Sequence, residues 1–238
     1  MAAVNASFWA GKRVLLTGHT GFKGAWAAVW LTRMGAEVTG LALAPDTEPN
    51  LFGLAGIGGR VDSLLVDLRD RKAVDAALAG RTFDVVLHLA AQPIVRTSVE
   101  DPIGTFETNV MGTAHLLQAL RAQSGLQAVL VVTSDKVYAN DESGRAFAES
   151  DNLGGKDPYS ASKAAAEIVV QSYAKSYFQH VAVGTARGGN VIGGGDFSRD
   201  RIVADIVRAA RAGEAVVLRH PQATRPWQHV LDCLAGYF

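Results

Sequence analysis

"RVLLTGHTGFKGAWAAVWLTRMG", residues 13–35, decides the fold. Residues 13–18 are short, apolar and closed by glycine, so they read as a buried strand. Residues 25–35 carry apolar side chains at helical spacing and stop at Gly35, which reads as a helix and its end. Between them Gly18, Gly21 and Gly24 form Gly-x-x-Gly-x-x-Gly. After a strand and before a helix, such glycines permit a tight turn, close approach of backbone to a pyrophosphate, and close packing of helix on sheet. The helix N-terminus adds free N–H groups and a positive dipole for phosphates. Thr20, Phe22 and Lys23 share the turn and join the three glycines as cofactor-binding candidates. An ordinary strand-to-helix turn is the competing reading.

Working outward, apolar runs and helical patterns keep alternating. Strands are expected at 36–43, 63–68, 83–91, 126–134 and 180–190, with a seventh at 215–219. Helices are expected at 73–78, at 101–123, where Ile103, Phe106, Val110, Ala114, Leu117 and Leu120 recur every three or four residues, at 158–177 and at 201–213. Pro158 suits the first turn of its helix. This order predicts an α/β, Rossmann-type doubly wound parallel sheet of about seven strands, flanked by helices. Ligands of such sheets bind at the carboxyl ends of the strands. The division expected is a dinucleotide-binding domain over 1–190 and the start of a small substrate-binding region over 191–238. "VLDCLAGYF" (230–238) reads as a helix with neither cap nor polar tail, as in a truncated chain; a docked C-terminal helix is the alternative.

Composition removes several classes. Lys plus Arg and Asp plus Glu are 23 each, so no global field recruits nucleic acid or an anionic membrane. No apolar run approaches the roughly 20 residues of a membrane helix. The start, "MAAVNASFWAGKRV", lacks a secretory signal pattern. Cys233 is the single cysteine, and His19, His88 and His229 are not spaced as metal ligands. The expectation is a cytoplasmic, small-molecule protein without a metal. His88 on its apolar strand reads as a core histidine, and Trp26 and Trp30 as core.

The chemistry concentrates at two strand ends and one helix. The fifth expected strand closes on Thr133, Ser134, Asp135 and Lys136. Tyr159 and Lys163 lie one helical turn apart on a shared face. A neighbouring ammonium favours phenolate, which makes tyrosine a usable base near neutral pH. Lys163 can also hold a nicotinamide ribose, and Ser134 can donate to the substrate oxygen that Tyr159 deprotonates. Thr133 joins the cofactor candidates. Leu89, Ala90, Ala91 and Gln92 end the fourth strand, where small residues let a cofactor lie flat or simply make a tight corner. Asp67, beside Leu68, is placed to take an adenine amino group or to be a solvated loop acid. The second strand ends "GLALAPDT", with neither an acid for the ribose hydroxyls nor an arginine for a 2′-phosphate, so NAD is favoured over NADP only slightly.

"GHTGFKG", "TEPNLF", "TSDKVY", "LGGKDPYSASKAAAE", "GNVIGGGDF" and "RPWQHVLDCLAGY" together make the chain resemble the extended short-chain dehydrogenases/reductases, and within them the CDP-glucose 4,6-dehydratases, from Trp9 to the last residue. The resemblance implies NAD as cofactor and CDP-glucose as substrate. It also implies oxidation at C4, loss of water across C5 and C6, and hydride return to C6. It implies that Ser134 orients the C4 oxygen, Asp135 is the general acid and Lys136 the C5 base or its helper; a lysine merely paired to a carboxylate is the alternative. Asn190, Arg201 and Arg225 match substrate contacts, Arg225 being the best phosphate candidate because its fork suits bidentate pairing. Gln92 and Arg96 match positions near sugar or nicotinamide. The rivals are a nucleotide-sugar 4-epimerase, a dehydratase of another nucleotide-linked hexose, and a non-catalytic nucleotide-sensing protein. A homodimer through helices 101–122 and 158–177 is expected by the same resemblance.

Overall fold

The structure, a computed structural model, describes residues 4–218 and 221–238. Six strands, β1 (Arg13–Thr17), β2 (Glu37–Ala42), β3 (Asp62–Leu65), β4 (Val85–His88), β5 (Ala128–Val132) and β6 (Ala182–Ala186), form one parallel sheet in the order β3-β2-β1-β4-β5-β6. Every neighbouring pair runs parallel, so each crossover needs a helix. The chain order reverses beside β1, which puts the crevice between the ends of β1 and β4.

Successive side chains of one strand feed two cores. Val14 and Leu16 pack with Ala25, Ala28 and Leu31 of the Phe22–Arg33 helix and with Val230 and Leu234 of the Val230–Ala235 helix. Leu15, between them, faces Leu116, Leu117 and Leu120 on the other side, together with Val129, Val131 and Val170. Near-continuous apolar strands covered on both faces follow from this. Helix starts are set locally: Asp70, Asp101 and Asp157 each accept the backbone N–H three residues on, in the helix they open, and Pro102 and Pro158 fill first-turn positions that need no donor.

Three expectations change. The main sheet has six strands, not seven. Residues 214–218 form no strand, and Val216, Val217 and Leu218 lie exposed; Arg219 lies outside the described residues. The run pairs with no strand among the described residues, and the Glu214 N–H bonds instead to Ala209 O. The stretch 180–190 divides: β6 stops at Ala186, the chain turns through Gly188 and Gly189, and β7 (Asn190–Ile192) pairs instead with β8 (Trp227–His229) as a separate two-stranded parallel sheet. The 101–123 helix is α-helical over Pro102–Phe106 and Gly112–Leu120, joined by a π turn over Glu107–Met111. The Val230–Ala235 helix docks through Val230, Cys233 and Leu234, with Leu231 outward. Beside it a cavity of about 420 Å³ lies against β4, β5 and β6, lined also by Trp9 and Phe238.

Candidate active site

Strand β1 ends in Thr17, whose hydroxyl lies 2.6 Å from His88 Nδ1 at the end of β4, while the Ala90 N–H donates to Thr17 Oγ1 at 3.1 Å. His88 Nε2 reaches Thr113 Oγ1 at 3.0 Å, and burial lowers its pKa to about 3. It is the satisfied core histidine its strand position implied, and it clamps the two strand ends that frame the crevice. Gly18 follows with φ +76°, a left-handed conformation, and a Cβ there would sit 2.8 Å from Ala90 N. Gly24 admits no Cβ because the Gly18 carbonyl occupies that space. Thr20 Oγ1 donates to Leu43 O and closes the turn onto the end of β2. The result is a cradle of backbone in which Gly18 and Gly24 leave no room for a side chain, opening a twelve-residue helix and backed by Leu89, Ala90 and Ala91. These residues fit a dinucleotide.

The second half of the site rests on β5 and the Pro158–Tyr177 helix. Ser134 caps a 3-10 turn over Asp135–Val137 by accepting the Lys136 N–H at 3.2 Å, and its hydroxyl donates to Asp135 Oδ1 at 3.1 Å. The Asp135 N–H donates to Gly188 O, fastening the turn to the end of β6. Burial raises the Tyr159 phenol above its ordinary value; a hydrogen bond with Ser134 and the charge of Arg201 pull it down, while Asp135 acts with burial. Lys163 is buried and donates to Val132 O at 3.0 Å. Desolvation, with Lys23 adding repulsion, lowers its amine to about 7. Within this cleft an ammonium and a neutral amine are therefore both accessible at neutral pH, as a proton-handling pair requires.

Lys23, from the glycine turn, is also buried, and burial lowers its amine; its Nζ donates to Tyr237 OH at 3.2 Å. Lys23, Lys163, Arg201 and Asp135 thus influence one another across the crevice. Arg201 stands at the N-cap position of the Ile202–Ala212 helix without a side-chain capping bond, and its buried Nε finds no hydrogen-bond partner among the described residues. An orphaned guanidinium donor beside the phenol suits an anionic ligand oxygen. The Lys136 amine makes no hydrogen bond or ion pair among the described residues, so the reading of it as a lysine held by a carboxylate finds no support.

Other candidates sit differently. The Thr133 hydroxyl donates to Glu167 at 2.5 Å rather than facing the crevice. The Gln92 amide is taken by Thr105 Oγ1 and the Ile94 N–H, and its backbone by both ends of buried Asn109. Arg96 is exposed and paired with Glu100 and Asp200. Arg225 is exposed on its loop, donating to Thr224 O. Asn190 opens β7, its N–H on Pro226 O. Asp67 is paired with Arg69, whose hydrogen bond lowers its pKa, so an adenine would have to compete with that arginine; Leu68 is buried beside Gly112. Sequence reasoning missed Asn109, Glu167, Arg187 and Tyr237. For Glu167 a signal was present, a carboxylate one turn after Lys163. Asn109 lies in the π turn, invisible to apolar periodicity, and Arg187 and Tyr237 enter through long-range packing alone.

The comparisons agree with this geometry. The model of the NAD dependent epimerase/dehydratase family matches residues 14–238. A CDP-glucose 4,6-dehydratase of Salmonella typhimurium is 45% identical over 98% of this chain and 67% of its own length. A dTDP-glucose 4,6-dehydratase of Xanthomonas campestris pv. campestris is 31% identical over 92% of this chain and 64% of its own. The chain therefore spans about two thirds of the length of these relatives. Among solved structures, the dTDP-glucose 4,6-dehydratase of Streptomyces venezuelae with NAD and TYD bound superposes with a TM-score of 0.80 at 30% identity, over 94% of this chain and 70% of that one. The UDP-glucose 4-epimerase of Thermus thermophilus in complex with NAD gives 0.81 at 31%, over 94% and 72%. By its sheet order, its glycine cradle beside a Tyr159–Lys163 couple, and a family match across nearly its whole length, this chain belongs to the NAD dependent epimerase/dehydratase family.

Proposed function

We propose that this chain serves the NAD-dependent 4,6-dehydration of CDP-glucose to CDP-4-keto-6-deoxyglucose, as a hydro-lyase. The observation that carries the reading is the turn Ser134–Asp135–Lys136 held beside the Tyr159 phenol, with Ser134 hydrogen-bonded to Asp135 and Lys136 left unengaged among the described residues. A 4-epimerase needs the hydroxyl and the Tyr-Lys couple; only elimination of water needs the acid and base beside them.

Bound NAD supplies hydride chemistry at C4 and C6. Tyr159 takes the proton of the C4 hydroxyl, with Ser134 on the same oxygen, and Lys163 favours the phenolate through its charge. Once C4 is a ketone the C5 hydrogen is acidified; Lys136, in its neutral form, removes it. Asp135, in its protonated form, delivers a proton to the departing C6 hydroxyl. Lys23 and Arg201 put positive charge along the crevice for diphosphate oxygens. Residues 1–190 carry the cofactor and catalytic groups in this reading, and 191–238 begin the substrate side.

The same reading includes a homodimer through helices 101–122 and 158–177. Ile103 and Met111 on the first, and Ile168 and Tyr177 on the second, are exposed apolar side chains on otherwise polar surfaces. A cytoplasmic location is also proposed, consistent with the lack of any described helix long and apolar enough to cross a membrane.

The test is mass spectrometry of a nucleotide-sugar panel incubated with NAD and the protein. Loss of one water from CDP-glucose alone supports the reading. Interconversion of sugars at constant mass would hand the site to an epimerase, and cofactor binding without any turnover to a sensing protein.

A further inference from the structure

Behind the Tyr159–Lys163 couple lies a second charged pair that the mechanism above does not use. Glu167 stands on the Pro158–Tyr177 helix one turn beyond Lys163 and is 1% exposed. Its carboxylate takes four hydrogen bonds: from Thr133 Oγ1 at 2.5 Å, Thr185 Oγ1 at 2.8 Å, Arg187 Nε at 3.1 Å and Arg187 Nη2 at 3.0 Å. Three elements thereby meet on one side chain: the helix bearing Tyr159 and Lys163, the end of β5 just before Ser134, and the end of β6. Arg187 continues outward, donating to Glu149 O and lying 4.9 Å above the Tyr138 ring, which stacks on Phe147.

A buried ion pair satisfied on this scale is costly to assemble and is weak evidence for stability as such. Its placement is more informative. Val132 O, which holds the Lys163 amine, and Ser134 flank the residue that Glu167 grips. We propose that Glu167, compensated by Arg187, is a positioning residue for the catalytic couple, setting both the register of Lys163 against the end of β5 and the charge that Lys163 carries. This inference rests on the catalytic assignment of Lys163 above. The charged and titratable groups facing Lys163 are Tyr159 and Glu167 on its own helix, Lys23 from the glycine turn, and His88 from β4. Arg187, through Glu167, completes the set. Among the described residues Glu167 is the anion that acts directly on Lys163, so it is the group able to favour the ammonium.

Signs then follow for two substitutions. Glu167→Gln removes a buried negative charge and leaves Arg187 positive, so the Lys163 midpoint falls. Arg187→Gln leaves Glu167 uncompensated, so the midpoint rises. Across one helical turn at an effective dielectric near 20, each change is on the order of one pH unit. The measurement is a pH titration of the protein labelled with 13Cε-lysine, the Lys163 resonance being assigned by its loss in Lys163→Arg. Expected are a downward move in Glu167→Gln, an upward move in Arg187→Gln, and a near-return in the double variant. That crossing of signs is not produced by loosened packing, which would move both variants alike. Should Arg187→Gln fold poorly, Glu167→Gln and the double variant still decide the question. An unmoved midpoint in Glu167→Gln, or the same direction in both single variants, overturns the proposal. The titration needs no turnover, so it is separate from the mass-spectrometric test: a wild-type protein that removes no water from any nucleotide sugar defeats the functional reading while leaving the Lys163 result standing.

Discussion

The three glycines of the cradle are predicted to fail for three different reasons when each is given a methyl group. At Gly24 the new Cβ falls onto the Gly18 carbonyl, 2.6 Å from its carbon and 2.9 Å from the Cα of His19. Carbon atoms rest about 3.5–4.0 Å apart, so the turn must retreat by roughly 1 Å. That same carbonyl accepts the Gly21 N–H at 3.1 Å, and the retreat breaks the bond. Overpacking of this kind costs about 1–3 kcal/mol, and the freed Gly21 N–H, on an exposed residue, turns to water at little further cost. Gly24→Ala should therefore lose about 1–3 kcal/mol, which for a chain of this size lowers Tm by roughly 5 °C. At Gly18 the methyl meets Ala90 N at 2.8 Å on a backbone at φ +76°. The left-handed conformation alone costs about 1–2 kcal/mol there. At Gly21 the backbone is extended, with φ −81°, and the nearest atom to a Cβ is Gly18 O at 3.5 Å, an ordinary contact. Gly21→Ala should keep its stability within about 0.5 kcal/mol of wild type and lose NAD affinity, because the methyl projects where phosphate must approach backbone. Urea denaturation followed by circular dichroism, paired with calorimetric NAD titration, separates the three. A Gly24→Ala protein as stable as Gly21→Ala would refute the packing argument, whatever its activity.

The remaining predictions concern the catalytic turn, the helix faces and acid stability. Asp135→Asn keeps the shape of the turn but removes the proton donor, so dehydration should fall by about 10²–10⁴-fold with NAD affinity intact; an unchanged rate would remove Asp135 from the mechanism. On the proposed interface the wild type should run as a dimer in sedimentation velocity and Ile103→Glu combined with Ile168→Glu as a monomer; a monomeric wild type, or an unaltered distribution in the variant, would refute that interface. His88 and His19 are buried, with burial lowering their pKa values to about 3 and about 4 from 6.5. The unfolded chain therefore binds more protons between pH 6.5 and 4, and stability present above that range is lost as pH falls through it, by several kcal/mol at about 1.4 kcal/mol per unit. His88→Asn should flatten that slope even if it lowers stability at pH 7.5; an equally steep slope would mean other groups drive the acid transition.

How much of this was legible depended on whether the controlling interaction was local. Strands β1, β2, β4 and β5 announce themselves because each is a short apolar run closed by a turn, and the helices because their apolar residues recur at helical spacing. The cradle was legible for the same reason, Gly18 and Gly24 being placed where the backbone leaves no room for a Cβ. The strand expected at 215–219 misled because the apolar character of its first residues is that of a strand, while strand formation needs an edge to pair with, and pairing is decided elsewhere in the chain. Asn190 was assigned to β6 by continuity; the chain leaves the sheet at Gly188, where a Cβ would sit 2.7 Å from the Tyr237 hydroxyl, a contact made by a residue far along the chain. Likewise Thr133 looked like a cofactor ligand from its place beside Ser134, but strand alternation turns it toward Glu167 on the opposite side.

The electrostatics of the site show why composition and local chemistry gave different messages. A chain with 23 cationic and 23 anionic side chains has no net field to recruit a partner. Yet Lys23, Lys163 and Arg201 converge on one crevice in which Asp135 is the facing carboxylate. Burial first, and mutual repulsion after it, lowers the Lys23 and Lys163 amines, and the Arg201 Nε has no hydrogen-bond partner among the described residues. Such strain persists where a ligand relieves it. Two diphosphates, one from the cofactor and one from a nucleotide sugar, are anions of the right kind, and their arrival would raise the Lys163 pKa and restore the ammonium that Tyr159 needs as a base. Binding and activation are then coupled: filling the crevice moves Lys163 from a mixture of amine and ammonium toward the ammonium. Glu167 keeps the Lys163 midpoint high enough for that response to fall within the physiological range.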